Sequence, residues 1–299
     1  MAGIIIGIVI ALAAITLAAF EWHKFSPRRT LRRISSLQPL LIRIPTIRKT
    51  GMPTEGVQEF GLAAEFFSIL SGTKTPFAVE IAVPHVGAKA SCFVVVPTGA
   101  VPFVQKTLHD FWPDAEVLPV SPHTIFNPTG TIAATVLLKK TAQKHEFQTY
   151  ATLKTNSCLP VIRAFNDIHA VGEGLALQIL VKSAPAHALH LTSKLLEQEE
   201  RTKARFGRKG KRRFFSVNIR LVASAPSPFR ADELLDRLSR AFNHFAAPEG
   251  QAFRVTKAKQ PQKTVQQFLA RAFDDEETIS MSGDELVSII HLPTCGMGI

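Results

Sequence analysis

An α+β fold behind a single membrane-spanning helix is what the sequence predicts, and three observations predict it. Residues 2–20 form one uncharged, almost wholly apolar run. Behind it, period-two alternation marks strands and single apolar stripes mark helices. Those strands and helices follow one another in the same order twice.

The apolar run comes first. At about 1.5 Å per residue, a helix over residues 2–20 reaches about 28 Å, close to the roughly 30 Å hydrocarbon thickness of a bilayer. Between Trp22 and Thr54 stand eight Lys or Arg residues and no Asp or Glu. The positive-inside rule therefore puts the N-terminus outside and everything after Glu21 in the cytoplasm. A cleaved secretory signal needs a cationic start and a cleavage site behind a shorter apolar region. Here the charge lies on the other side of the run, and only ten residues precede Ala11-Leu12-Ala13. Residues 2–21 are read as the anchor and 22–39 as a basic juxtamembrane linker carrying Lys24, Arg28, Arg29, Arg32 and Arg33.

The first repeat opens with a strand at Leu40 to Ile44. A helix over Glu55 to Leu70 follows, its stripe formed by Val57, Phe60, Ala64 and Phe67. Strands at Phe77 to Val83 and Ser91 to Val96 come next, then a helix from Gly99 to Phe111 and a strand from Glu116 to Val120. The second repeat has strands at Ile132 to Leu138, Leu175 to Lys182, Phe214 to Val222 and Phe253 to Thr256. Its helices are expected over Leu159 to His169 and Arg230 to Phe245. Each repeat reads βαββαβ, which with right-handed crossovers gives a four-stranded antiparallel sheet with helices on one face, the ferredoxin-like arrangement. Two such domains are expected in tandem, 40–120 and 131–257, each sheet covered on one side. Pro122, Asn127-Pro128 and Gly130 break every period at the join.

Two segments stand outside the repeat. An insertion over 183–213 holds an expected helix near His187 to Glu200 and then the tract Arg201 to Arg213. The tail, 258–299, holds an expected helix near Val265 to Phe273 and an S-x-x-E capping box, Ser282 to Glu285, opening a helix through Ile290.

Charge narrows the chemistry. The net charge of +11 resides in two tracts: without residues 22–54 and 201–213 the chain carries 19 basic against 24 acidic residues. Arg201, Lys203, Arg205, Arg208, Lys209, Lys211, Arg212 and Arg213 follow one another with no acid among them. Such density suits phosphate in nucleic acid or in anionic lipid headgroups, and a solvated hairpin extension is the alternative. Cys92, Cys158 and Cys295 are isolated, with no C-x-x-C pair, so neither a disulfide framework nor a zinc site is expected. Cys92 and Cys158 read as small buried hydrophobes. His187 and His190 share a helical face but lack a third ligand, and Asp274 to Glu277 reads as a solvated charge run. No Gly-x-x-x-x-Gly-Lys-Ser/Thr string occurs, no nucleophile and base pair stands out, and no metal or cofactor is expected. Phe93, Phe214 and Phe215 read as core rather than as an RNA-stacking platform.

Three strings carry a resemblance: Gly172-Glu-Gly-Leu-Ala-Leu-Gln-Ile-Leu-Val-Lys182, Phe215-Ser-Val-Asn-Ile-Arg-Leu221 and Glu285-Leu-Val-Ser-Ile-Ile-His-Leu-Pro293. With the anchor and the tandem repeat, they resemble the membrane-proximal region of TraG/TraD-like type IV secretion coupling proteins, the conjugative DNA-transfer ATPases. In that family a P-loop motor follows the His-Leu-Pro segment. The resemblance therefore implies a non-catalytic part of a DNA-transfer machine in a bacterial inner membrane, with the motor in a continuation or a separate polypeptide. It also implies a hexameric motor partner and DNA or protein substrates, and the chain itself is expected to form a homo-oligomer. From another class, a free-standing membrane-tethered scaffold whose basic tract binds anionic lipid or RNA fits the same composition.

Overall fold

Alternating β-branched and small residues build the central strands, and their register is fixed because a one-residue slip would turn every large side chain to the wrong face. The computed structural model describes residues 27–45, 53–73, 75–87, 89–122, 124–140, 146–153, 157–166, 168, 171–184, 214–248, 251–258 and 260–292. The expected anchor at 2–21 and the insertion through Arg213 from residue 185 onward, His187 and His190 included, lie outside these residues. Among the described residues no helix is long and apolar enough to cross a membrane.

The elements run α1 (Pro27–Ser35), β1 (Leu37–Arg43), α2 (Pro53–Ser71), β2 (Phe77–Val83), β3 (Ser91–Pro97), α3 (Val101–Phe111) and β4 (Glu116–Pro119). Then come β5 (Thr131–Lys139), α4 (Tyr150–Leu153), α5 (Leu159–Arg163), β6 (Gly174–Ser183), β7 (Phe214–Ala225), α6 (Pro228–Ala241) and β8 (Phe253–Lys257). The tail gives α7 (Pro261–Ala270), β9 (Ile279–Ser282) and α8 (Gly283–Ile289). All strand pairs are antiparallel, and the order is β4-β1-β3-β2-β6-β7-β5-β8. The repeats thus meet edge to edge, β2 against β6, in one sheet. Phe77 faces Val181 and Val83 faces Leu175 across that seam.

One face carries Leu40, Ile42, Val79, Ile81, Leu177, Ile179, Ile219 and Leu221, and the larger core forms there with Phe60, Phe66 and Phe67 of α2 and Leu234 and Leu238 of α6. The expectation of sheets covered on one side fails on the other face. Ala78, Ala82, Ala176, Leu180 and Val222 pack there against Ile125 and against Phe268 of α7. Alanines at alternate positions read as an outward face; they instead leave room for a helix and a loop to approach the backbone closely.

The join uses that room. Ile125 is buried, and the Asn127 N–H donates to Ser224 Oγ at 2.9 Å. A Cβ on Gly174 would lie 2.0 Å from the Ile125 carbonyl oxygen, so only glycine fits at that crossing.

Several elements differ from expectation, among them α4 (Tyr150–Leu153), where no helix is expected. The basic linker at 22–39 contains the helix α1 and the start of β1. The helix expected over Leu159 to His169 ends at Arg163, after which Ala164, Phe165 and Asn166 each donate to the carbonyl three residues back and tighten the chain into turns. Phe165 and Ile168 still reach the core. The short strand β9 has no counterpart among the expected strands; it pairs with Phe214 to Val217 of β7, next to the stretch Ile219 to Ala225 that β5 occupies.

Candidate phosphate-binding interface

Antiparallel register decides where the basic tracts attach. Leu37 of β1 faces Pro97, Ala78 of β2 faces Val95, Phe77 faces Val181, and Lys182 of β6 faces Ser216 of β7. The start of β1, the end of β6 and the start of β7 therefore lie at one end of the sheet. At about 4.8 Å per strand, the four steps from β1 to β7 cover roughly 19 Å. Ala184 donates to the Phe214 carbonyl at 3.2 Å, which closes the neck from which the tract at 201–213 leaves.

Arg201, Lys203, Arg205, Arg208, Lys209, Lys211, Arg212, Arg213 and Lys24 lie outside the described residues. Arg28, Arg29, Arg32 and Arg33 lie in α1. Arg32 is exposed, whereas Arg33 has a structural partner: its Nε donates to the Ala270 carbonyl at 2.8 Å and its Nη2 to the Arg271 carbonyl at 3.0 Å. Those carbonyls end α7, where a cation satisfies acceptors that the helix leaves open. Partial burial pulls the Arg33 guanidinium below its ordinary pKa. At the same end of the sheet, Lys182 Nζ sits 4.0 Å above the Phe273 ring and 2.6 Å from Asp275 Oδ1.

Beneath α7 runs an ionic seam that periodicity gave no sign of. Glu80, Gln178 and Arg220 face one another across β2, β6 and β7 in a single row. Arg271 grips Glu80 with two bonds of 2.9 Å, and Gln178 Nε2 donates to Glu80 at 2.8 Å and to the Phe268 carbonyl at 2.9 Å. Arg220, fully buried, donates to the Ala272 carbonyl at 2.8 Å and to Glu277 at 3.1 Å. Burial lowers the Arg220 pKa and raises that of Glu277, each opposed by the charge of the other. Asn218 and Asp274 exchange backbone and side-chain bonds of 2.7 and 2.8 Å. The run Asp274 to Glu277 is thus no solvated charge run: Glu277 and Asp274 fasten the loop after α7 to the sheet, and only Asp275 and Glu276 remain exposed.

A second seam holds α8. The Ser282 box closes both ways: Glu285 N donates to Ser282 Oγ at 3.3 Å, and Ser282 N donates to Glu285 Oε2 at 2.7 Å. Glu285 Oε1 also accepts from Phe147 N at 2.9 Å, and Ser288 Oγ accepts from Tyr150 N at 2.8 Å. Burial raises the Glu285 pKa. His291 and Tyr150 stack on opposite sides of Phe60, with centroids at 4.2 and 4.5 Å, and burial pushes His291 down to about 4. Cys92 and Cys158 are both buried, as small apolar side chains would be. Cys158 donates to the Ser288 carbonyl at 3.3 Å, and burial raises its pKa far above the range of a nucleophilic thiolate.

Among the described residues no group of three His, Cys, Asp or Glu is placed to hold a metal ion. The described cations at this end of the sheet are the exposed Arg32, Arg33 bound to the end of α7, and Lys182 paired with Asp275. Residues 192–297, from within the insertion to beyond α8, match a domain of unknown function, DUF8128. The match includes the basic tract, β7, α7 and α8. No curated protein matches the chain. Gln178, Asn218, Arg220, Glu285, Ser288 and His291 of the two seams all fall within the three strings 172–182, 215–221 and 285–293.

Proposed function

We propose that this chain is a membrane-anchored, non-catalytic assembly module of a DNA-translocation or secretion machine, built from two fused ferredoxin-like units. The observation that carries the reading is the shared end of the sheet. The chain arrives there from the apolar run through α1 and β1, and the tract Arg201 to Arg213 leaves between β6 and β7 at the same level. A body hung from the bilayer by residues 2–21 thereby presents its densest cation cluster beside its point of attachment. There the tract meets nucleic-acid phosphates passing close to the membrane. The resemblance to coupling proteins supplies the machine, with a P-loop motor and further copies of the chain as partners.

Titration of the full chain in neutral-lipid nanodiscs against duplex DNA tests this reading. Neutralising Arg208, Lys209, Lys211, Arg212 and Arg213 together should weaken binding equally for unrelated sequences. It should also flatten the dependence of log affinity on log salt by about 0.9 for each phosphate that no longer meets a cation. Unchanged affinity and slope would remove DNA from the reading. Loss of binding to anionic vesicles alone would favour the membrane scaffold.

A further inference from the structure

Residues of α1 do two different things. Arg33 is fastened to the end of α7, which fixes the rotation of the helix about its axis. Leu31 lies two residues earlier, about 200° around a helix at roughly 100° per residue, and so is held on the side away from the body. It is 64 % exposed, and Arg32 beside it is exposed as well. The backbone position of Arg28 falls one turn earlier on the same face as Leu31 and Arg32. The helix holds four arginines and no acid. The outward face thus sets an exposed leucine beside an exposed arginine, a pairing of apolar and cationic side chains that suits a membrane boundary.

We propose that this outer face of α1 rests on an anionic bilayer surface, with Leu31 in the headgroup boundary and Arg32 over lipid phosphates. The proposal rests on the anchor reading of residues 2–21. The seven residue steps from Phe20 to Pro27 can span at most about 25 Å, so α1 never leaves the neighbourhood of the membrane into which Phe20 is inserted. Short basic amphipathic helices bind such surfaces by apolar insertion and by attraction to anionic headgroups. Docking α1 orients the whole body, because Arg33, α7 and the Glu80 to Glu277 seam form one hydrogen-bonded path into the sheet. The end of the sheet that carries the tract at 201–213 is then held toward the lipid.

The test uses the full chain with Cys295→Ser, since Cys92 and Cys158 are buried. A spin label at Leu31→Cys is read by power saturation with oxygen and with a water-soluble nickel chelate. Vesicles of phosphatidylcholine alone are compared with vesicles also containing phosphatidylglycerol. The label should be shielded from nickel and open to oxygen in the anionic vesicles, whereas one at Val171→Cys, 77 % exposed before the start of β6 at the opposite end, stays in water. Arg32→Glu should return the first label to water. A label that is wet in both compositions, or equally shielded in both, overturns the proposal. Resistance to alkaline extraction from the neutral vesicles scores the anchor separately. A chain that washes off fails that reading, while the label on the anionic vesicles still decides for or against docking.

Discussion

Arg271 is, among the described residues, the one non-glycine with a positive φ, 47°, at the end of α7. A left-handed turn there costs a side chain about 1–2 kcal/mol, which glycine avoids. The position retains arginine because its guanidinium forks onto Glu80, a carboxylate with no exposed surface. Such a pair need not stabilise the fold relative to an apolar one, yet removing one partner strands a charge and typically costs about 3–5 kcal/mol. Arg271→Ala should therefore lower the urea midpoint strongly, and Arg271→Gly should lower it less, costing about 1 kcal/mol less stability than the alanine because the backbone strain is released. Midpoints equal to the parent's would show that the Glu80 pair does not hold α7 in place. None of this is legible in the sequence. Arginine within Leu269-Ala-Arg-Ala-Phe273 has the look of a solvated helix residue, and Glu80 within an apolar strand has the look of an outward one.

At the scale of elements, strands are legible wherever large and small residues alternate, as in Phe77 to Val83, because that pattern fixes which side is buried. It does not say whether the other side is also covered. The cover comes from α7 and the loop around Ile125, which lie outside the strands they protect, and the alanines that admit them give no periodic signal. The helix α8 is legible from its capping box, but the second task of Glu285, accepting from Phe147, is not. The same element gives a pH signature. His291 titrates near 4 when folded, below its ordinary 6.5, because it is buried against Phe60. The unfolded chain thus takes up a proton that the folded chain refuses between these values, and stability falls as pH drops through that window. The full effect is about 3 kcal/mol, present above pH 6.5 and lost by about pH 4. Glu285, raised by burial, contributes with the opposite sign over part of the window. His291→Phe keeps a ring on Phe60 and should remove only the histidine slope. Urea midpoints of parent and variant at about pH 7 and about pH 4.5 measure the difference, and parallel losses in both would exclude His291 as its source.

For the whole molecule, the central seam decides whether the repeats are separate bodies. All seven residues of β2 are buried, which requires β6 at its edge. Glu80 and Gln178 sit opposite each other at the midpoint of that antiparallel pairing, so β2 and β6 occupy equivalent places about a local two-fold axis. A fragment over residues 27–122, the first repeat with α1, would expose the β2 edge, and a bare edge of that kind recruits another strand. The same axis would then relate two copies of the fragment, an isologous β2-to-β2 dimer in which Glu80 faces Glu80. Like charges directly opposite destabilise a strand pair. The glutamine at 178 removes that conflict within the single chain and donates to Glu80 instead. The fragment should therefore self-associate in a concentration-dependent way by sedimentation, and Glu80→Gln should tighten the association. A fragment that stays monomeric at roughly 100 µM, with or without the substitution, would mean that the first repeat closes its own edge. The β2–β6 seam would then be a contact between independent units.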